Sequence, residues 1–89
     1  MEEPIILQEL ESLATELAIE IFYDDLDESR GGLCRVAGKS RLYIDRSTTV
    51  AERIRIMVTE LSDLPLEGVF LRPMVRELLE SNRRSAAGV

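Results

Sequence analysis

A chain of 89 residues with a formal net charge of −6 has room for one domain and little general affinity for nucleic acid. Apolar residues make up 45% of the chain and charged residues 31%, which is typical of a folded globular protein and excludes a disordered one. No apolar run approaches the ~20 residues that cross a bilayer, and the first residues, MEEPII, lack the features of a secretory signal. We therefore expect a cytoplasmic protein that binds neither membrane nor nucleic acid.

A local basic patch stays open as an alternative to this expectation. Five basic residues cluster in the sequence: Arg30, Arg35, Lys39, Arg41 and Arg46. Such a patch would bind nucleic acid through phosphate contacts. The simpler interpretation is that these residues cover the solvent side of a β-hairpin.

The side chains needed for nucleophilic chemistry are scarce. Cys34 is the only cysteine, and the chain contains no histidine. A catalytic thiol normally needs a base such as histidine to form its thiolate, and a single cysteine without a disulfide partner fits a reducing compartment. We interpret Cys34 as a half-buried strand residue and expect no cofactor.

The first predicted element is a helix between Pro4 and Leu17, where leucines recur at helical spacing and proline occupies the first turn. A strand is predicted for the next segment, AIEIFYDDL, because it alternates and is rich in β-forming residues. After the acidic loop DDLDESRGG, a β-hairpin is predicted for GLCRV and RLYID, which are separated by a turn around Gly38.

This region partly matches two ligand-binding motifs, the EF-hand calcium loop and the Walker A phosphate loop, but neither match is complete. An EF-hand loop starting at Asp25 would need glycine at its sixth position and glutamate at its twelfth, where the chain has Arg30 and Val36. The Gly-Lys-Ser tripeptide at 38–40 lacks the first glycine of a Walker A loop and leads into a strand rather than a helix. Neither calcium nor a nucleotide is therefore predicted here.

A second helix is predicted in the segment STTVAERIRIMVTELSDLP. Thr49 and Glu52 have the spacing of a capping box, Ser47 and Thr48 are rival caps, and Pro65 marks the end. One face of this helix is apolar at the helical period: Val50, Ile54, Met57, Val58, Leu61 and Leu64. This face is predicted to pack into the core.

The last part of the chain contains a turn at Gly68, a short extended stretch and a third helix from Pro73 to about Asn82. We expect a single domain over residues 1–82, followed by a disordered tail at 83–89 that has nothing to pack against. The predicted order is α-β-β-β-α-α. This order predicts an α+β fold, in which a small three-stranded, antiparallel-dominated sheet, made of a strand plus a hairpin, packs against three helices.

Three stretches stand in an order and spacing that carry a resemblance to a known family: LAIEIFY, GGLCRVAGKSRLYID and RSTTVAERIRIMVTELSDL. Between about Leu10 and Leu64 the chain resembles the core of the ImmA/IrrE family of zinc metallopeptidases. In such peptidases the long helix carries H-E-x-x-H, whose histidines hold zinc and whose glutamate is the general base. These three positions fall on Thr59, Glu60 and Asp63, so only the glutamate matches. The resemblance therefore implies a degenerate zincin-like core that has lost its zinc-binding histidines.

The side of the second helix opposite its apolar face is mostly polar, and Ile56 is an apolar residue within it. In a peptidase this surface would line the substrate cleft, and here we expect it to contact a second copy of the chain or another protein. Phe70 and Met74 are expected to add apolar area on the same side. The candidate interaction surface consists of Ile56, Thr59, Glu60, Asp63, Phe70 and Met74.

Besides the basic patch, two functions stay open at this point. The first is a non-catalytic protein-interaction or self-association module, and it is favoured because the chain offers no nucleophile with a base, no phosphate loop and no identifiable small-molecule site. The alternative is a residual hydrolase-like enzyme in which Glu60 and Asp63, with Glu67 as a further ligand, hold Mg²⁺ or Ca²⁺, because both ions prefer oxygen ligands.

Overall fold

The computed structural model describes residues 2–27 and 30–87 of the chain. Within these ranges it contains three helices and three strands: α1 Glu3–Glu16, β1 Ile19–Asp24, β2 Gly31–Val36, β3 Lys39–Asp45, α2 Val50–Ser62 and α3 Pro73–Ala87. The predicted α+β class and the order α-β-β-β-α-α are confirmed. No helix in the described part of the chain is both long enough and apolar enough to cross a membrane.

The three strands form one mixed sheet in the order β1-β3-β2. The β2 and β3 strands are the predicted antiparallel hairpin, and its turn places Ala37 and Gly38 at φ values of 52° and 80°. The β1 strand pairs with β3 in parallel, so the sheet is mixed rather than antiparallel-dominated as predicted. The difference arises because β2 does not pair with β1. The β3 strand lies between them, antiparallel to β2 and therefore parallel to β1.

The core lies between one face of the sheet and the helices. Leu42 and Ile44 of the central strand are fully buried, and Leu10 of α1 and Leu61 of α2 are fully buried with them. The α3 helix packs on α1 and α2, and it adds Leu79 to the same cluster. Burial of each such side chain stabilises the fold by about 2 kcal/mol, so this layer is the main source of stability.

The start of α2 is fixed by the predicted capping box. The Thr49 hydroxyl accepts a hydrogen bond from the Glu52 N–H at 3.1 Å, and the Glu52 carboxylate accepts one from the Thr49 N–H at 2.9 Å. Thr48 is not the cap. Its hydroxyl instead donates to the Asp45 carbonyl oxygen at 2.6 Å and thereby ties the end of β3 to the start of α2.

The opposite face of the sheet carries no packed helix among the described residues. Cys34 points to this side and is exposed, whereas the sequence predicted a half-buried position. The reason is that β2 is an edge strand, and its outward residues are covered neither by a neighbouring strand nor by a helix.

The α3 helix is longer than predicted. It continues to Ala87, through most of the expected tail at 83–89, and residues 88 and 89 lie outside the described residues. Arg83 contributes to this because its guanidinium donates hydrogen bonds to the carbonyl oxygens of Ser62 and Leu64. The contacts are polar, so the apolar pattern of the sequence did not indicate them.

Candidate interaction site

A cleft of about 310 Å³ lies between the start of β2 and the polar side of α2. We call it the α2–β2 cleft. Its lining consists of Arg30, Gly31, Glu52, Arg55, Ile56, Thr59 and Glu60. Three of the six residues of the predicted interaction surface, Ile56, Thr59 and Glu60, are therefore brought together here.

The two glycines at the start of β2 allow this strand to pass close to α2. A Cβ atom on Gly31 would lie 3.4 Å from the Ile56 Cγ2 atom, and one on Gly32 would lie 4.0 Å from a Glu60 carboxylate oxygen. Sequence reasoning assigned both glycines to the preceding loop. The detectable signal was the Gly-Gly pair immediately before a β-type segment, because glycine in a strand often marks a close backbone approach.

Ile56 forms the apolar part of the cleft. It is half-buried and packs against the core, so it is less exposed than its place on a polar helix face predicts. Thr59 is exposed and Glu60 is half-buried on the same side of α2. The cleft therefore offers a small apolar surface beside a hydroxyl and a carboxylate.

Charges of both signs surround this apolar surface. Arg30 and Glu52 form an ion pair at 3.2 Å across the mouth of the cleft. The Thr49 backbone N–H, which donates to the Glu52 carboxylate, holds the pKa of that carboxyl below its usual value, and the cations Arg30 and Arg55 add to the effect. With Glu60 included, the rim has two cations and two anions and no strong net charge.

The lowered pKa of Glu52 predicts how its contribution to stability depends on pH. A carboxyl with a lower pKa in the folded state stabilises the fold above its unfolded pKa, and it loses this effect as pH falls through the folded value. We expect the stability difference between wild type and Glu52→Gln to be full at neutral pH and to shrink below about pH 4.5, the usual value for the group. Urea midpoints measured at a series of pH values check this, and a difference that stays constant down to pH 3, about 1.5 units lower, would contradict it.

The other three residues of the predicted surface do not line the α2–β2 cleft. Asp63 is the exposed C-terminal cap of α2. Phe70 is 78% exposed and lies beside α1, because the neighbouring Arg72 forms an ion pair with Glu9 at 2.9 Å. Met74 is half-buried on α3 and lines a separate shallow pocket with Leu78 and Arg84 among others.

The Tyr23 hydroxyl and the Cys34 thiol, two groups that could take part in catalysis, lie outside the cleft. The Tyr23 hydroxyl donates to the Glu11 carboxylate at 2.7 Å, and burial together with this bond raises the pKa of Tyr23. Tyr23 therefore stays protonated and links β1 to α1. Cys34 is exposed on the open side of the sheet.

Carboxylates do not gather into a metal site in the described part of the chain, where no group of three or more His, Cys, Asp or Glu residues could hold an ion. Comparisons of the chain with protein-family models, with curated proteins and with solved structures find no match. The similarity to the ImmA/IrrE core thus stays a prediction that rests on the three stretches quoted above. The placement of Thr59 and Glu60 in a cleft is a separate observation that stands without it.

Proposed function

We propose that this protein is a non-catalytic interaction module that contacts a second copy of the chain or another protein through the α2–β2 cleft. The observation that carries the proposal is the position of Ile56. Its apolar side chain lies in a concave site and is ringed by charges of both signs. An apolar centre within a polar rim is the usual anatomy of a protein–protein contact.

The chemistry of the cleft favours binding over catalysis. Its side chains are guanidinium, carboxylate, hydroxyl and aliphatic groups, and the chain has no histidine that could serve as a base near neutral pH. In this proposal α2 is the helix of a degenerate zincin-like core in which a binding surface has replaced the zinc site. The proposed setting is the cytoplasm, where an exposed single thiol such as Cys34 stays reduced.

Replacing Ile56 by aspartate is expected to weaken partner binding by at least about tenfold, because a charge would then occupy the apolar centre of the contact. Crosslinking followed by affinity capture identifies the partner, and calorimetry with the purified pair measures the affinity. Ile5→Asp is the matched control, because Ile5 is an exposed isoleucine on α1, away from the cleft.

A second variant separates binding from folding, since Ile56 is half-buried. Thr59→Arg changes an exposed position of the same cleft, so it should leave the melting temperature within about 2 °C of wild type while it weakens the same partner. If both cleft variants bind every partner and self-associate as wild type does, the proposal is wrong. Stoichiometric divalent metal in the purified protein, lost in Glu60→Gln, would replace it with the carboxylate-based enzyme that uses Glu60 and Asp63.

A further inference from the structure

The core and the helices pack against one face of the sheet, and the other face lies outside the core. Alternate residues of each strand point away from the helices, and none of them belongs to the core cluster. We call this surface the open face, and the residues that matter for its binding are Phe22, Asp24, Lys39, Arg41, Tyr43 and Asp45. No helix in the described ranges packs on it.

An aromatic patch occupies the middle of the open face. Phe22 and Tyr43 are paired in register on β1 and β3, and their rings stack with centroids 5.5 Å apart at 23°. The Arg41 guanidinium lies 5.3 Å from the Phe22 ring centroid and donates to the Tyr43 hydroxyl at 3.4 Å. Val36 adds an aliphatic side chain that is 43% exposed. The centre of the face is therefore flat, apolar and crossed by one delocalised cation.

Charge changes sign along the strands of the open face. At the carboxyl end of β1 and β3, Asp24 and Asp45 stand next to each other in register, and Arg46 forms an ion pair with Asp24 at 3.4 Å. At the opposite end, Lys39 follows the hairpin turn and is exposed beside Val36. The central strand of the face thus has Asp45 at one end and Lys39 at the other, with the aromatic patch between them.

We propose that the open face binds a second copy of this chain, face to face and with the strands antiparallel. A twofold axis that crosses the strands between Arg41 and Tyr43 places Lys39 opposite the partner's Asp45, and Arg41 opposite the ring of the partner's Tyr43. Both contacts then occur twice, and each joins opposite charges or a cation to an aromatic face. These two contacts follow from the register of β3, and the same axis places Phe22 opposite the partner's Glu20 on the neighbouring strand.

A polyanion is a poorer occupant of this face. Three acidic residues, Glu20, Asp24 and Asp45, are balanced by three cations, Lys39, Arg41 and the Arg46 that pairs with Asp24, and the whole chain carries a net charge of −6. Nucleic acid affinity depends on phosphate neutralisation by a surplus of cations, which is missing here. Aromatic stacking together with balanced charge fits a copy of the same surface better.

The size of the face predicts a weak dimer. Strands of six or seven residues are about 20 Å long, and three of them are about 14 Å wide, so the face covers only about 300 Å² in projection. Stable complexes bury about 800 Å² per partner. We therefore expect association that depends on concentration and weakens with salt, because the charge pairs lie at the rim.

A charge swap tests the proposal. Lys39→Asp alone and Asp45→Lys alone place like charges opposite each other, and each should weaken self-association by about tenfold or more in sedimentation equilibrium. An equimolar mixture of the two variants restores both pairs, so a heterodimer should form at least as readily as the wild-type dimer. This recovery also shows that Asp45→Lys still folds, although the Asp45 carboxylate accepts a hydrogen bond from the Ser47 N–H.

This inference does not rest on the proposed use of the α2–β2 cleft, which lies on the helix side of the sheet. Self-association that survives Ile56→Asp but is lost in the charge variants supports the open face. A wild type that is monomeric at every concentration would overturn it, and so would a dimer that Ile56→Asp abolishes and the charge variants leave intact. Binding of single-stranded oligothymidine at physiological salt, lost in Phe22→Ala, would assign the face to nucleic acid and also overturn the inference.

Discussion

Gly31→Ala is expected to destabilise the fold by about 3 kcal/mol. Gly31 has a φ of 153°, a backbone conformation that residues other than glycine rarely adopt. An added Cβ would also overlap the backbone carbonyl oxygen of Tyr43. It would also lie 3.2 Å from the Ile44 Cα atom. Both neighbours belong to the central strand, so neither can yield without disturbing the pairing of the hairpin. The total free energy of unfolding of a domain of this size is roughly 5–10 kcal/mol, so a loss of this size should lower the melting temperature by about 15 °C.

Gly32→Ala is the matched control for this prediction. The next residue along the same strand has space for a methyl group, since an added Cβ would lie no closer than 4.0 Å to its nearest neighbour, a Glu60 carboxylate oxygen. We expect a change of less than about 1 kcal/mol, as for an ordinary surface substitution. Urea unfolding of both variants provides the comparison. Equal stability of the two alanine variants would show that Gly31 is not the point where the backbones are tightly packed.

The helices were the most predictable part of the fold because each carries its own signal. Leucines at helical spacing indicated α1, and the Thr49–Glu52 pair indicated the first turn of α2, where the predicted capping box is present. The hairpin was predictable for the same reason, since the turn at Gly38 is local to its two strands.

Strand order was not predictable by the same means. Alternation marks Ile19–Asp24 as a strand but does not say which neighbour it has, and the parallel pairing with Lys39–Asp45 depends on contacts between distant parts of the chain. The candidate site likewise has a part that local sequence predicts and a part that depends on distant contacts. Ile56, Thr59 and Glu60 share a cleft because they lie on one helix face, whereas Phe70 lies elsewhere because an ion pair beside it ties its segment to α1.

The two proposed binding surfaces differ in what a single sequence reveals about them. The α2–β2 cleft was partly foreseen, since an apolar Ile56 on a polar helix face is visible in the helical period. The open face became evident only from strand register, which puts Phe22 beside Tyr43 and Asp24 beside Asp45. A protein with contacts on both sides of its sheet would connect a second copy of itself to another partner.

Arg83→Met is expected to destabilise the protein by about 2 kcal/mol, although it changes a residue that the sequence placed in a disordered tail. The Arg83 guanidinium donates to the Ser62 carbonyl oxygen and, at 2.9 Å, to the Leu64 carbonyl oxygen at the end of α2. Carbonyl groups at a helix end have no partner within the helix, so a cation that binds them there stabilises the end. Methionine keeps most of the aliphatic stem but leaves both carbonyl groups without this donor.

A neighbouring polar contact explains why the effect should extend beyond one side chain. The Ser62 side chain is buried, and its hydroxyl accepts from the Asn82 amide at 2.7 Å while it donates to the Thr59 carbonyl oxygen at 3.1 Å. Arg83 binds the backbone carbonyl oxygen of the same Ser62, so its removal should loosen the last turns of α3. Hydrogen exchange at the end of α3 should then be faster in the variant than in wild type.

Arg84→Met is the control for this prediction, because it removes the same charge from an exposed position one residue further along α3. Its free energy of unfolding should stay within about 0.5 kcal/mol of wild type. If Arg83→Met and Arg84→Met unfold at the same urea concentration, the contacts between the end of α3 and the end of α2 add nothing to stability. A clear difference between them would instead make the last turns of α3 part of the folded domain, because only one of these arginines reaches the carbonyl groups at the end of α2.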